Sequence, residues 1–343
     1  MRSRSVVWAV AGIALAAAVA GCGSSSKSSS KSTSQSGPKL KVGLVTDVGG
    51  LHDRGFNQLS YEGLKRAEAN LGVTGRVELS KSNADYVPNL TALAKQGNKL
   101  IIAVGFLMTD AVANVAPEFP KTKFAIIDVD ATTLKGKPKN VEGLLFREQQ
   151  GGYLIGYLAG LVTKHQGGKQ VVGVVGGIEI PPVDRFAGGY KAGAEAADPG
   201  VKVLVDYSQD FVVQAKCKEL ALNQIAAGAQ VIFADAGACG LGVHDAAKEK
   251  GIWSLGGDSD QSYLGPEILS SELKKVDVGV YDLINRVEHG KFNGGNNTYY
   301  SVQNGGVGIG KISPKIPKSI VDKVMAVKAK LAAGKITNIP LKP

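Results

Sequence analysis

The sequence predicts an α/β protein of two similar lobes, each a parallel β-sheet flanked by helices. Three observations carry that expectation. Apolar runs of period two alternate with stretches of helical periodicity, the grammar of βαβ units. The same grammar recurs at a constant offset of 130 residues. The body that follows the leading segment, about 305 residues, is too long for one ordinary core, and the 45 glycines of the chain point to many tight turns.

The leading segment comes first in chain order. Residues 1–21 set Arg2 and Arg4 ahead of an apolar run at 6–20 that ends in Val19-Ala20-Gly21-Cys22. This is the order of a secretory signal peptide. At 15 residues the run falls short of the roughly 20 that a transmembrane helix needs. Its end resembles a lipobox, which makes Cys22 the acylation site and places the mature protein on the outer face of the cell membrane, held by lipid. Residues 22–38 are almost all Ser, Lys, Gly and Thr and form a flexible tether.

The body starts near Lys39. KVGLVT, a helix over 56–70, LIIAVG, a helix over 109–117 and FAIIDVD read as βαβαβ. VVGVVGG, a helix over 186–197, QVIFADAG, a helix over 242–250 and IWSLGGDSD repeat it. At the offset of 130, Val42, Gly43 and Val45 fall on Val172, Gly173 and Val175; Phe56 and Gly63 on Phe186 and Gly193; Ile102 on Ile232; Asp128 and Asp130 on Asp258 and Asp260. An unchanging register from first strand to last aspartate implies two similar lobes, consistent with duplication. A final helix over 317–334 has its apolar residues at Ile320, Val324, Val327 and Leu331 and should dock on a lobe.

Ligands of open α/β sheets sit beyond the carboxyl ends of the strands. The residues at those ends are Asp47, Gly105-Phe106, Asp128, Gly176-Gly177, Gly237 and Asp258. If the lobes face each other, these residues line one cleft, which suits a clamshell for a small molecule. The segment TDVGGLHDRGFNQLSYEGL, residues 46–64, adds Phe56 and Asn57, an aromatic face beside a two-way amide. In the plain structural reading of the same segment, Asp53 caps a helix and Phe56 is core.

Composition and motifs exclude several classes. The net charge of +10 becomes +8 without Arg2 and Arg4, and lysines spread along a chain with few aromatics argue for a solvated basic surface, not a nucleic-acid stripe. Neither a G-x-x-x-x-G-K-[ST] loop nor a G-x-S-x-G elbow occurs, and no Cys–His or His–Glu constellation marks a nucleophile or metal. No cofactor, metal or catalytic residue is expected, and His52, His165, His244 and His289 read as surface or turn residues. With Cys22 assigned to lipid, Cys217 and Cys239 remain as a pair in an oxidising compartment, either bridged or as two separate buried thiols.

Several long segments carry a family resemblance: TDVGGLHDRGFNQ, FAIIDVD, GLLFREQQGGYLIGYLAG, GGIEIPPVDRFAGGYKAG, AGACGLGVHDAAKEKG and GGDSDQSYLGPEILSSELKKVDVGVYD. In this order they resemble the basic membrane protein family, the purine nucleoside receptor-like substrate-binding lipoproteins of ABC importers. The resemblance implies a type I periplasmic-binding-protein fold and, through K-C-K and A-G-x-C-G, a bridge between Cys217 and Cys239. It implies that Phe56 and Phe211 sandwich a base, with Phe186 a rival for the second ring. Asn57 and Asp128 would hydrogen-bond the base, with Asp47 in the same turn. Asp258 and Lys274 would hold the ribose, with Lys275 an alternative to Lys274, and Gly237 would offer backbone contacts.

The sequence departs from the family where Gly55 stands for a common Ser, and where Gly256-Gly257-Asp258 stands for G-V-D. Carboxylates only accept hydrogen bonds, so Asp258 suits a vicinal diol, and an acidic cleft disfavours phosphate. The implied partners are a nucleoside and ABC permease subunits with a cytoplasmic ATPase; the implied protein is a monomer and binds no nucleic acid. A ligand sensor serving a signalling partner is the second reading. A nucleoside hydrolase, with Asp47, Asp128 and Asp258 around an activated water, is the third. Type I chains cross between lobes three times, here expected near 147, 260 and 300. One lobe would then hold 39–147 plus 261–299, and the other 148–260 plus 300–343.

Overall fold

A computed structural model describes residues 39–343; the expected signal peptide, acylation site at Cys22 and tether lie outside the described residues. The first half runs β1 (Lys41–Val45), α1 (Phe56–Leu71), β2 (Thr74–Glu78), α2 (Tyr86–Lys95), β3 (Leu100–Ala103), α3 (Thr109–Val115), β4 (Lys123–Ile127) and β5 (Val141–Phe146). A long helix, α4 (Glu148–Gln166), leads into the second half. There follow β6 (Val171–Gly176), α5 (Pro181–Ala197), β7 (Lys202–Tyr207), α6 (Gln214–Ala226), β8 (Ala229–Asp235), α7 (Leu241–Lys250), β9 (Trp253–Gly256) and β10 (Ile268–Lys274). The chain ends through α8 (Val276–Glu288), β11 (Asn297–Tyr300), β12 (Val307–Ile309) and α9 (Lys318–Ala332).

Two six-stranded sheets result, ordered β11-β5-β4-β3-β1-β2 and β12-β10-β9-β8-β6-β7. The run β5-β4-β3-β1-β2 has its counterpart in β10-β9-β8-β6-β7, so the 130-residue offset is a repeat of topology as well as of sequence. Every pairing is parallel except that of β10 with β12. Parallel strands covered on both faces must be apolar throughout. LIIA of β3 and VVGVVG of β6 are buried at every position.

The edge strands β2 and β7 lack that signature. TGRVE is nowhere fully buried, and its charged residues gave no apolar run to read. Helix α5 starts at Pro181, five residues before the expected 186, because a proline in the first turn has no N–H to leave unpaired. Helix α9 buries Ile320, Val324, Val327 and Leu331, and packs on α4.

The crossing expected near 260 does not separate the sheets. Residues 268–274, assigned to the first lobe, form β10 and pair in parallel with β9 of the second sheet. The chain passes to the first sheet only after Lys274, where α8 packs on α1 and β11 pairs with β5. The physical reason is burial: six of the seven β10 residues, all but Leu273, are buried with the strand lying between β9 and β12.

Helices α4 and α5 meet through glycine. A Cβ on Gly156 would stand 2.0 Å from the Tyr190 carbonyl oxygen, and one on Gly193 would stand 2.1 Å from that of Tyr153. Gly152 and Gly189 are equally close to the opposite backbone. This approach fixes α4, which carries Glu148 at its start, against α5, which carries Phe186. In the second lobe a disulfide joins Cys217 on α6 to Cys239, with Cα atoms 5.6 Å apart, and so ties α6 to the turn that follows β8.

Gly156→Leu should force α4 and α5 apart. Overpacking of this kind costs about 1–3 kcal/mol, so thermal unfolding followed by circular dichroism should show a melting temperature lower by about 2–5 °C. An unchanged melting temperature would mean that the glycine contact constrains nothing.

Candidate functional site

The carboxyl ends of both sheets face one cavity. All eight residues singled out in the sequence line it: Asp47, Phe56, Asn57 and Asp128 from the first half, and Phe211, Gly237, Asp258 and Lys274 from the second. The lining also includes Gly49, Asp53 and Phe106 on one side and Ile180, Pro182, Val183, Phe186 and Asp235 on the other.

The first-lobe wall is braced by one aspartate. Asp53 is buried and accepts from the backbone N–H groups of Gly55, Asn57 and Gln58, at 3.0, 2.8 and 3.1 Å. The N-cap position is Gly55 and not Asp53, but Asp53, two residues earlier, accepts from otherwise unpaired donors of the first turn of α1. It also accepts from the Asn57 side-chain amide at 2.9 Å, while the Asn57 oxygen accepts from the Asp47 N–H at 2.7 Å. Asn57 therefore spends its acceptor and one donor on the protein, leaving one amide hydrogen. Asp47 accepts from the Tyr86 hydroxyl and the Val48 N–H. Burial pushes its pKa above the usual carboxylate value, although the Tyr86 and Val48 bonds pull it back.

Lys274 stands at the centre. Its ammonium is 2.6 Å from Asp128 and 3.1 Å from Glu148, with all three side chains buried. Three rings surround it: Phe56, Phe146 and Phe186, with centroids 5.0, 5.2 and 5.5 Å away. Burial alone would lower its pKa, but Asp128, Glu148 and Asp258 more than offset that and hold it above the usual lysine range. Lys274 lines the cavity and Lys275 does not.

The rings divide by burial. Phe186 is 4% exposed and packs edge-on against Phe233, whereas Phe56, Phe106 and Phe211 are only partly buried. Phe211 lies so close over Gly177 that a Cβ there would stand 2.3 Å from its ring. Phe56 packs likewise against Gly105, with 3.2 Å to a Cβ placed there. Two partly exposed rings, Phe56 and Phe106, thus come from the first lobe and one, Phe211, from the second.

Asp128 and Asp258, equivalent in the repeat, share a left-handed backbone, with φ of 68° and 61°. A non-glycine residue pays conformational strain there, a feature that clusters at functional sites. One Asp128 oxygen, Oδ1, is buried without a hydrogen-bond partner. Burial pushes Asp258 up to about 7; Lys274 pulls it back, and Asp53 and Asp128 add to the rise. The lobes also touch beside the site, where the Ser259 hydroxyl and the Gln261 amide both donate to the Arg54 carbonyl.

Glu148, Tyr86 and Asp235 were not singled out from the sequence. Asp235 ends β8 two residues before Gly237, a strand-end position that could have marked it. Glu148 and Tyr86 sit at helix starts with no local signal of what they would meet. His244 corrects an expectation: it is buried, not a surface residue, with its ring nitrogens 2.9 Å from the Ser254 hydroxyl and 2.8 Å from the Gln261 side-chain oxygen. Among the described residues, no three His, Cys, Asp or Glu side chains are grouped to hold a metal ion.

A family model described as "Bmp: ABC transporter substrate-binding protein PnrA-like" matches residues 40–339. The chain is 35% identical over 331 residues to the CD4+ T-cell-stimulating antigen of Listeria monocytogenes, covering 90% of each protein. It is 34% identical to the ABC transporter nucleoside-binding protein BmpA of Lactococcus lactis, covering 87% of this chain and 88% of that one. A solved ABC transporter solute-binding protein from Aeropyrum pernix superposes with a TM-score of 0.76 at 28% identity, covering 87% of this chain and 92% of that one. The two-lobed architecture is the type I fold of periplasmic solute-binding proteins. The chain belongs to the PnrA-like, or Bmp, family of ABC transporter substrate-binding proteins, whose business is binding and not catalysis.

Proposed function

We propose that the cleft binds a nucleoside, a purine nucleoside in the first instance, and delivers it to the permease of an ABC importer. The observation that carries this reading is a pair of partly exposed aromatic rings from opposite lobes, Phe56 and Phe211, on a cavity that also presents five aspartates. Two rings make a slot for a flat base, and stacking on an aromatic side chain is worth roughly 1–3 kcal/mol per base. A relative named as nucleoside-binding supports the choice of ligand.

The roles follow from hydrogen-bonding capacity. Asp47 and Asp128 accept from the N–H groups of the base edge, and Asn57 adds its remaining amide hydrogen. Asp258 accepts from the sugar hydroxyls, Lys274 donates to a sugar oxygen, and Gly237 supplies backbone contacts. With six carboxylates on or beside the cavity and one lysine among them, a phosphate would meet net repulsion. Ligand contacts from both lobes make closure and permease recognition one event. Cys22 carries the lipid that keeps this receptor at the membrane.

Calorimetry with adenosine, guanosine, inosine, uridine and their 5′-monophosphates tests the assignment. Nucleosides should bind, with monophosphates at least about 100-fold weaker, and Phe211→Ala should weaken nucleoside binding by about 10- to 100-fold. Binding of a sugar or an amino acid, with no nucleoside bound, would overturn it.

Asp258 gives a pH dependence of stated sign. Hydroxyl donors favour the ionised carboxylate, so ligand binding releases a proton and affinity should fall as pH drops below about 7. The stability of the free protein runs the other way. The folded pKa lies above the ordinary 3.8, so folding holds this proton and gains stability as pH falls from about 7 toward 5. Asp258→Asn should flatten the affinity profile between about pH 8 and about pH 6; a flat profile in the unaltered protein would sink the role given to Asp258.

The anchor is tested separately. Cys22→Ser should leave nucleoside binding intact and release the processed protein into the soluble fraction. If the processed variant stays with membranes, acylation of Cys22 is not what holds it.

A further inference from the structure

Behind the main cavity lies a small chamber with room for a group about the size of one water molecule. Asp235, Gly237, Asp258 and Asp53 line both spaces, so the chamber opens off the cleft. Its other polar walls are His244 and Gln261. Both nitrogens of His244 are engaged, with Ser254 and with Gln261. The Gln261 oxygen faces His244, and its amide donates to the carbonyls of Gly257 and Arg54. Asp235 differs: it is 9% exposed, and its Oδ2 is buried with no hydrogen-bond partner.

A buried carboxylate oxygen without a donor costs free energy until something supplies one. The surrounding side chains have already spent their donors. The space admits a single small group, and the group must donate. The geometry points to a hydroxyl subsite: Asp235 and the chamber it shares with Asp258 take one hydroxyl of the ligand's sugar end, and Asp235 selects for ligands that carry it. This deepens the nucleoside reading and rests on it for the identity of the sugar. The neighbouring carboxylate Asp258 fits the same pattern, since a vicinal pair of hydroxyls would give each acid a donor. Burial, with Asp258 close by, pushes the pKa of Asp235 well above the usual carboxylate value, and a ligand hydroxyl donating to it would favour the ionised form.

The test is calorimetry on the full chain, comparing the unaltered protein with Asp235→Ala and Asp235→Asn. The panel is a ribonucleoside, its 2′-, 3′- and 5′-deoxy analogues, and free pentoses and hexoses. In the unaltered protein, one deoxy analogue should bind about 10- to 100-fold more weakly than the parent. Asp235→Ala should erase that one difference and leave the ratios for the other two analogues unchanged. Asp235→Asn, which keeps the shape, covers the case in which the alanine variant fails to fold, and should reduce the same ratio. If all ratios persist in folded variants, the oxygen serves a bound water only and the subsite is wrong. If no nucleoside binds but a free sugar does, and loss of one sugar hydroxyl is felt only when Asp235 is present, the nucleoside reading fails while the subsite stands. If nothing in the panel binds, the subsite falls with it.

Discussion

An ammonium group at 2% exposure has to be surrounded by carboxylates, and the arrangement around Lys274 organises the rest of the molecule. Lys274 ends β10 of the second sheet; Asp128 follows β4 of the first; Glu148 begins α4, which runs between them in the chain. One buried charge therefore ties together two sheets and the helix that joins them. Removing either partner of such a group leaves an uncompensated charge, typically worth about 3–5 kcal/mol. The rings of Phe56, Phe146 and Phe186 exclude water around it and face the ammonium, so it is held by dispersion and cation–π attraction as well as by ion pairing.

That cage can exist only if α4 and α5 are close enough to present Glu148 and Phe186 to the same lysine. The glycine contact between Gly156 and the Tyr190 backbone provides this closeness. The Arg185 guanidinium, 3.5 Å from Glu148, adds a second cation from α5 itself. On the far wall the disulfide holds the turn with Gly237 against α6, and the N–H of Cys239 donates to the Phe211 carbonyl at 3.0 Å. Phe211 is thus carried by a loop, yet fixed at its backbone by a cross-linked turn.

The repeat explains why the two walls resemble each other and where they part. Asp128 and Asp258 keep the same left-handed backbone after equivalent strands. Their neighbours have diverged: Asp128 meets Lys274 directly, while Asp258 keeps partial access through the cleft. Glu142 on β5 and Glu272 on β10 are another equivalent pair. Glu142 is held by Arg286 at 2.6 Å, whereas Glu272 has no partner for either oxygen, and burial pushes its pKa well up. Two lobes built on one plan thus carry different charges at matching points, as a site for an asymmetric ligand requires.

The sequence by itself determined the alternation of strands and helices, the internal repeat, and the residues at the strand ends. Those are properties of local order: a strand that is buried on both faces writes its burial into consecutive residues, and ligands of open α/β sheets gather where such strands stop. The placement of Asp47, Asp128, Gly237 and Asp258 at the cavity was legible for that reason, whereas Phe211 and Lys274 were legible only through the family resemblance. Edge strands such as β2 were not, since half-exposed residues leave no apolar run. Only the tertiary structure decided that β10 extends the second sheet, that Asn57 braces Asp47, and that Asp235 is left without a donor. It also decided that the lysine at 274 closes on an aspartate 146 positions earlier. Such outcomes depend on which distant groups share a low-dielectric space, and no spacing along the chain records it.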